Sequence, residues 1–107
     1  MNYAIWYNCP MKAALIFRDK VTFSDGAILE MILWELPEKI PGQLHKFKYR
    51  LHYGFPGKTL VRSDNEKNKG DHRHYEDKEE PYIFIDVDTL RIDFLRDIET
   101  VRGEEFG

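Results

Sequence analysis

The eleven residues from Asp64 to His74 carry the side chains of this sequence that are best suited to chemistry. All of them except Gly70 are charged, ionisable or amide residues (DNEKNKGDHRH). These groups are able to transfer protons, bind metals and recognise phosphate. We therefore predict that the functional site lies in this segment. Directly behind the glycine stand an acid, two imidazoles and a guanidinium: Asp71, His72, Arg73 and His74.

Proton transfer is the preferred interpretation of this segment. If residues 71–75 are extended, His72 and His74 project to one face, because side chains alternate along a strand. Two imidazoles can act as base and acid in RNA cleavage without a metal or other cofactor, one taking the 2′-OH proton and the other protonating the leaving 5′ oxygen. Asp71 would orient an imidazole, and Arg73 would stabilise charge on the phosphate. The predicted catalytic residues are His72, His74, Asp71 and Arg73.

Metal binding is an alternative for the same residues. A His-x-His pair with neighbouring carboxylates suits Zn²⁺, Mn²⁺ or Fe²⁺ in a metal-dependent hydrolase. The sequence has no second histidine–carboxylate cluster to complete such a site, and Lys69 and Arg73 would repel a dication. The ligands would be His72, His74, Asp71 and Glu66. A third interpretation is a charged hairpin whose side chains only pair with one another.

A strand with a basic side is predicted just before this segment. Residues 44–53 alternate strictly between two kinds of side chain. The core row is His45, Phe47, Tyr49, Leu51 and Tyr53. The other row is basic, with alternate residues roughly 7 Å apart, close to the phosphate spacing of an extended nucleic-acid strand. An ordinary solvated sheet face is the alternative, but the absence of any acid favours an anionic partner. The predicted RNA-binding residues are Lys46, Lys48, Arg50 and Lys69.

Short strands and one helix complete the predicted fold. Apolar runs bounded by Gly, Pro and Asp predict the remaining strands at residues 12–17, 21–23, 27–36, 58–63 and 82–85. Asp86 is the predicted N-cap of a helix that ends at Gly103. Its apolar stripe, at spacings of three and four, is Val87, Leu90, Phe94, Ile98 and Val101. The predicted fold class is α+β, a single domain with an antiparallel sheet of five or six strands and one C-terminal amphipathic helix.

Composition limits the classes of protein to which the chain can belong. With 107 residues, 42% of them hydrophobic, it is long enough for one folded domain. The single cysteine cannot form an internal disulfide, and no apolar run is long enough to span a membrane, which together favour a cytoplasmic protein. We predict a domain over residues 11–103. Residues 1–10 are interpreted as an N-terminal extension or as the product of a misassigned start, with Met11 as the true start.

Several phrases along the chain resemble the TumE family of toxins. The resemblance covers about residues 11–101, and its most specific part is the segment that ends in Gly-Asp-His-Arg-His. The phrases are Lys12-Ala13 with Phe17-Arg18, Asp25-Gly26-Ala27-Ile28, Trp34-Glu35, His45-Lys46-Phe47-Lys48-Tyr49-Arg50-Leu51, Asp64-Asn65-Glu66, Lys69-Gly70-Asp71-His72-Arg73-His74 and Glu79-Glu80-Pro81-Tyr82.

The resemblance implies the toxin of a type II toxin–antitoxin module, encoded beside a helix-turn-helix antitoxin. It brings no established catalytic residues with it. By analogy with other toxins of this type, it raises the expectation of an endoribonuclease that acts on RNA. The rival expectation is a non-catalytic module that binds a nucleic acid or a protein. Oligomeric state is left open.

Overall fold

A computed structural model of the chain describes residues 13–39, 42–65 and 70–104. Within these ranges, six strands form one antiparallel sheet in which every strand pairs with the next along the chain, and one helix follows the sheet. The elements are β1 (Ala14–Thr22), β2 (Ile28–Glu35), β3 (Phe47–Phe55), β4 (Lys58–Asp64), β5 (His72–Tyr75), β6 (Lys78–Pro81) and α1 (Val87–Arg102). The predicted α+β fold with six strands and one C-terminal helix is confirmed. The predicted N-terminal extension, residues 1–10, lies outside the described residues.

Two predicted strand assignments were wrong. Residues 12–17 and 21–23 were predicted as separate strands, but β1 is continuous, and Arg18, Asp19 and Lys20 all pair with β2. Because β1 is an edge strand, its charged side chains stay in contact with water while its backbone pairs with a long neighbour. The last strand was predicted at residues 82–85, but it lies at 78–81, and residues 82–86 form an irregular connection to α1.

The helix packs on one face of the sheet and begins and ends where the sequence predicts. Asp86 is the N-cap and accepts a hydrogen bond of 2.7 Å from the Thr89 N–H. Gly103 adopts the left-handed conformation (φ 73°) that closes the last turn, a conformation that glycine adopts without strain. The predicted apolar stripe packs into the core: Leu90, Phe94 and Ile98 are buried, and Val87 and Val101 pack against them. Among the described residues, no helix is long and apolar enough to cross a membrane.

The strand alternation gives the sheet a helix face and an outer face. The helix face carries the core, in which Tyr49, Leu51 and Val61 are fully buried beneath α1. The predicted register of β3 is therefore confirmed. The outer face carries the polar alternates of β3, β4 and β5, which the next section describes.

Candidate active site on the outer face of the sheet

The outer face brings together two polar rows that run across the strands. In the first row Asp64 of β4 lies between Arg50 of β3 and His72 of β5. The second row lies two residues earlier on β4. There Arg62 is paired with His52 of β3 on one side and with His74 of β5 on the other. His74 is paired in turn with Glu79 of β6. His72 and His74 therefore share a face, as the sequence predicts.

His72 and Asp64 are in contact at the centre of this face, and both side chains are nearly buried. His72 Nε2 lies 2.6 Å from Asp64 Oδ1, and the two side chains are only 8% and 5% exposed. The other Asp64 oxygen lies 3.2 Å from Arg62 Nε. On its far side, His72 Nδ1 lies 3.3 Å from the Gly70 carbonyl oxygen. The imidazole is thus held at both nitrogens, and Asp64 holds His72 and Arg62 together.

His74 is the more accessible of the two imidazoles. Its side chain is 26% exposed, and its Nδ1 lies 3.9 Å from Glu79 Oε2. It stands two residues from His72 on the same strand, a spacing of roughly 7 Å. A ligand on the outer face would therefore reach the His74 ring before that of His72.

His52 extends the second row, and its surroundings keep its ring neutral. Burial, followed by the neighbouring Arg50 guanidinium, lowers the pKa of the His52 imidazole. Its Nε2 shares a hydrogen bond of 3.0 Å with the Thr59 hydroxyl. The face that surrounds His72 and His74 therefore includes a neutral histidine that makes a structural contact.

The predicted row of exposed cations is wrong at Lys48. Its Nζ donates to the Asn65 carbonyl oxygen at 3.2 Å, and the residue is only 6% exposed. Lys46 is half-exposed and lies 3.3 Å from Glu35 Oε2 in an ion pair. Arg50 is partly buried opposite Asp64. The row along β3 is thus engaged with the protein itself. The fourth predicted cation, Lys69, lies outside the described residues.

Asn65 explains why Lys48 is drawn in and where β4 ends. Asn65 is completely buried, and its side chain takes the place of a backbone partner for β3. Its Oδ1 accepts from the Tyr49 N–H at 3.0 Å, and its Nδ2 donates to the Phe47 carbonyl at 2.6 Å. Because the Asn65 side chain makes these bonds to the β3 backbone, the Asn65 carbonyl is left to accept from Lys48.

Arg73 faces the helix rather than the outer face. Its Nε and one terminal nitrogen donate to the two oxygens of Asp97 in α1, both at 2.6 Å, and it also pairs with Glu80. These bonds, above all those to Asp97, raise the pKa of the guanidinium. The two-pronged geometry is the strong form of an arginine–carboxylate pair. Arg73 therefore ties β5 to α1, on the side of the sheet opposite His72 and His74.

Asp71 orients an imidazole, but the imidazole belongs to His45. His45 Nδ1 accepts from the Phe47 N–H at 3.1 Å, so its proton is on Nε2, which points between the Asp71 oxygens at 2.9 and 3.0 Å. Tyr49 donates its hydroxyl to the same carboxylate at 2.6 Å. Burial, and then this bond, raise the pKa of the Tyr49 hydroxyl well above its ordinary value. The expectation that Asp71 serves His72 or His74 does not agree with these contacts.

The four proposed metal ligands do not converge in the part of the chain that the structure describes. Asp71 faces away from His72 and His74, and Glu66 lies outside residues 13–39, 42–65 and 70–104. Within those ranges no three His, Cys, Asp or Glu side chains are close enough together to bind a metal ion.

Two residues of this face, Arg62 and His52, were not among the predicted site residues, and Asp64, the first residue of the predicted segment, was not among its predicted catalytic residues. The signal that could have found them is the period of two in β4. Arg62 and Asp64 are alternate residues of a strand that leads directly into the His-x-His segment, so the pairing of β4 with β5 places them beside the imidazoles. The pairing of β4 with β5, inferred from the sequence, would therefore have added Arg62 and Asp64 to the site.

Comparison with known proteins identifies the family. A sequence model described as Toxin TumE matches residues 10–102, which is most of the 107-residue chain. The searches of curated proteins and of solved structures found no match. The match includes every described residue of the outer-face site. The chain belongs to the TumE family of toxins.

Proposed function

We propose that the protein is the toxin of a type II toxin–antitoxin module and that it cleaves RNA without a metal ion. The observation that carries the proposal is the grouping on one face of two imidazoles, a guanidinium and an orienting carboxylate: His72, His74, Arg62 and Asp64. Membership of the TumE family supports the toxin role.

The chemistry requires one proton acceptor and one proton donor. One imidazole takes the proton of a ribose 2′-OH while the 2′ oxygen bonds to phosphorus, and the other gives its proton to the 5′ oxygen as the phosphorus–oxygen bond breaks. The products are a 2′,3′-cyclic phosphate and a free 5′-OH. His74 is the group that faces the substrate. The 3.3 Å contact of His72 Nδ1 with the Gly70 carbonyl is the weaker of the two contacts of this imidazole. In the proposed reaction, this contact breaks when His72 transfers a proton.

The proposed roles of the charged groups follow from their contacts. Asp64 orients His72, as a buried carboxylate does for a catalytic histidine. Arg62, paired with His74 across the strands, stabilises negative charge on the phosphorus oxygens. The predicted roles of Asp71 and Arg73 pass to these two residues, because Asp71 and Arg73 are held on the helix face.

The partner in this proposal is an antitoxin of the helix-turn-helix type, encoded beside the toxin. A toxin needs an antitoxin that keeps it inactive, so the TumE family implies such a partner in general. RNA is the proposed target, and the cytoplasm is the proposed location in which the toxin encounters both the antitoxin and RNA.

A second candidate function is that of a non-catalytic binding module. It is favoured by the low exposure of His72 and by the contacts at both of its nitrogens, which suit a structural role. In that case the toxin would block its target by binding it, and the outer face would be a recognition surface.

Product analysis tests the proposal. Purified toxin is incubated with a structured RNA in excess EDTA, and the ends of the fragments are determined. Fragments that carry 2′,3′-cyclic phosphate and 5′-OH ends are expected from the wild type. The matched control is His52→Gln, which changes a neutral histidine of the same face and should cleave at the wild-type rate. Tight RNA binding without cleavage would support the binding module instead, and cleavage that EDTA abolishes would contradict metal independence.

A further inference from the structure

Three large apolar side chains near the start of α1 are exposed to solvent. Leu44 is 91% exposed, Ile83 is 82% exposed and Ile85 is 69% exposed, the highest values among the large hydrophobic side chains of the described residues. Two of the three, Ile83 and Ile85, lie on the connection from β6 to α1. Exposed apolar side chains that cluster in this way are typical of a binding surface.

The connection that carries these isoleucines behaves as an unpaired edge. Tyr82 and Phe84 are partly buried against the core, while Ile83 and Ile85 are exposed between and beyond them, so side chains alternate in exposure as they do in an extended chain. Within the described residues, no backbone hydrogen bond joins residues 83–85 to another segment. Both the side chains and the backbone of this segment are thus open to a partner.

A groove with an acidic rim runs beside Leu44 and Ile85. It has a volume of about 500 Å³ and an apolar floor that includes Phe47 and Phe84. Asp86 and Asp88 also line it, whereas no Lys or Arg among the described residues does. The Thr89 N–H holds the pKa of the Asp86 carboxyl below its usual range, so this side of the groove stays negatively charged. A complementary partner would insert apolar side chains and place a cation beside these two carboxylates.

We infer that this surface, formed by Leu44, Ile85 and the groove that they line, is the docking site of the antitoxin. The bound element is a hydrophobic segment that also carries a Lys or an Arg. The inference rests on the toxin–antitoxin part of the proposed function but not on RNA cleavage. Phe47 and Phe84 belong to the helix face of the sheet, whereas His72 and His74 are on the outer face. Antitoxin binding and catalysis are therefore separable by mutation.

Calorimetric titration with the antitoxin encoded beside the toxin gene tests the inference. The double variant Leu44→Gln/Ile85→Gln should bind at least about tenfold more weakly, because a few apolar anchors supply most of the affinity of an interface. The matched control is Ile92→Gln, which removes an exposed isoleucine (49%) from α1 outside the groove and should bind as the wild type does. Leu44→Gln alone, on a side chain with almost no contacts to lose, gives the same direction of change should the double variant fail to fold.

The charge requirement is tested separately with Asp88→Asn. This change leaves the Asp86 helix cap in place, so it alters charge without removing the cap. The affinity of this variant should fall less steeply with added salt than that of the wild type.

Three outcomes would overturn the inference. They are wild-type affinity of the double variant, an equal loss of affinity in Ile92→Gln, and a wild-type dimer that the double variant converts to a monomer, which would assign the surface to a second copy of the chain. RNA cleavage tests the proposed function independently of antitoxin binding, since the free double variant should cleave RNA as the wild type does. A wild type that binds antitoxin but cleaves no RNA would refute the nuclease and leave the docking site standing.

Discussion

His72 Nε2 lies 2.6 Å from Asp64 Oδ1, and each side chain is less than a tenth exposed. This pair joins the last residue of β4 to the first residue of β5 on the outer face. It is therefore both a structural contact and the orienting pair of the proposed active site.

Removing the carboxylate should destabilise the fold as well as the site. Asp64→Ala removes the carboxylate that contacts both His72 and Arg62, and leaving a buried polar group without its partner typically costs about 1–3 kcal/mol. Urea unfolding followed by circular dichroism measures this loss. Asp77→Ala, in the exposed turn between β5 and β6, is the control and should unfold at the wild-type midpoint. Equal midpoints for Asp64→Ala and the wild type would mean that the pair contributes nothing to stability.

Arg73 should prove to be structural. A double-mutant cycle with Arg73→Met and Asp97→Asn should give a coupling energy of about 1 kcal/mol or more, because the guanidinium holds both oxygens of Asp97. Arg73→Met should still cleave RNA at close to the wild-type rate, assayed under conditions in which it is fully folded. A variant that is folded and stable but inactive would return Arg73 to the predicted catalytic role.

Asn65 should be required for the end of β4. Asn65→Ala leaves the Tyr49 N–H and the Phe47 carbonyl without their buried partner, at a cost of about 1–3 kcal/mol for each group. Equilibrium unfolding gives the total, and hydrogen exchange at Tyr49 should become faster. Asn65→Asp keeps one acceptor and should recover only the bond to Tyr49. Unchanged exchange at Tyr49 in the alanine variant would rule out this bracing role.

His52 should make the protein less stable in acid. Its pKa is lower in the folded protein than the ordinary 6.5. As the pH falls through 6.5, His52 of the unfolded chain gains a proton that His52 of the folded protein does not. The free energy of unfolding therefore decreases until the pH reaches the pKa of the folded protein. The difference in stability between about pH 7.5 and about pH 5 should therefore be smaller in His52→Gln than in the wild type. Identical pH dependence in the two proteins would contradict this assignment.

The sequence predicted the features that depend on periodicity. The alternation around Tyr49 and Leu51 correctly indicated the buried face of β3, and the stripe that includes Phe94 correctly indicated the helix. The same alternation put His72 and His74 on one face, because a strand of any length obeys it. These are local properties, determined by neighbours one to four positions away.

Contacts between distant segments could not be predicted in this way. Lys48 was expected in solvent, but its burial depends on a carbonyl 17 residues further along the chain, at Asn65. Arg73 was expected at the phosphate, but its partner Asp97 lies 24 residues away in the helix. In each case the short-range pattern carries no information about the partner, because the pairing depends on which face of a distant element packs against the residue.

Cleavage by the double variant His72→Ala/His74→Ala tests the central claim most directly. In single-turnover reactions with EDTA, each single variant should be slower than the wild type by roughly a hundredfold or more, as expected for loss of a general acid or base. His52→Gln should cleave at the wild-type rate in the same reactions. The double variant should also fail to arrest growth although it still binds its antitoxin. A folded double variant that cleaves RNA and arrests growth as the wild type does would contradict the account.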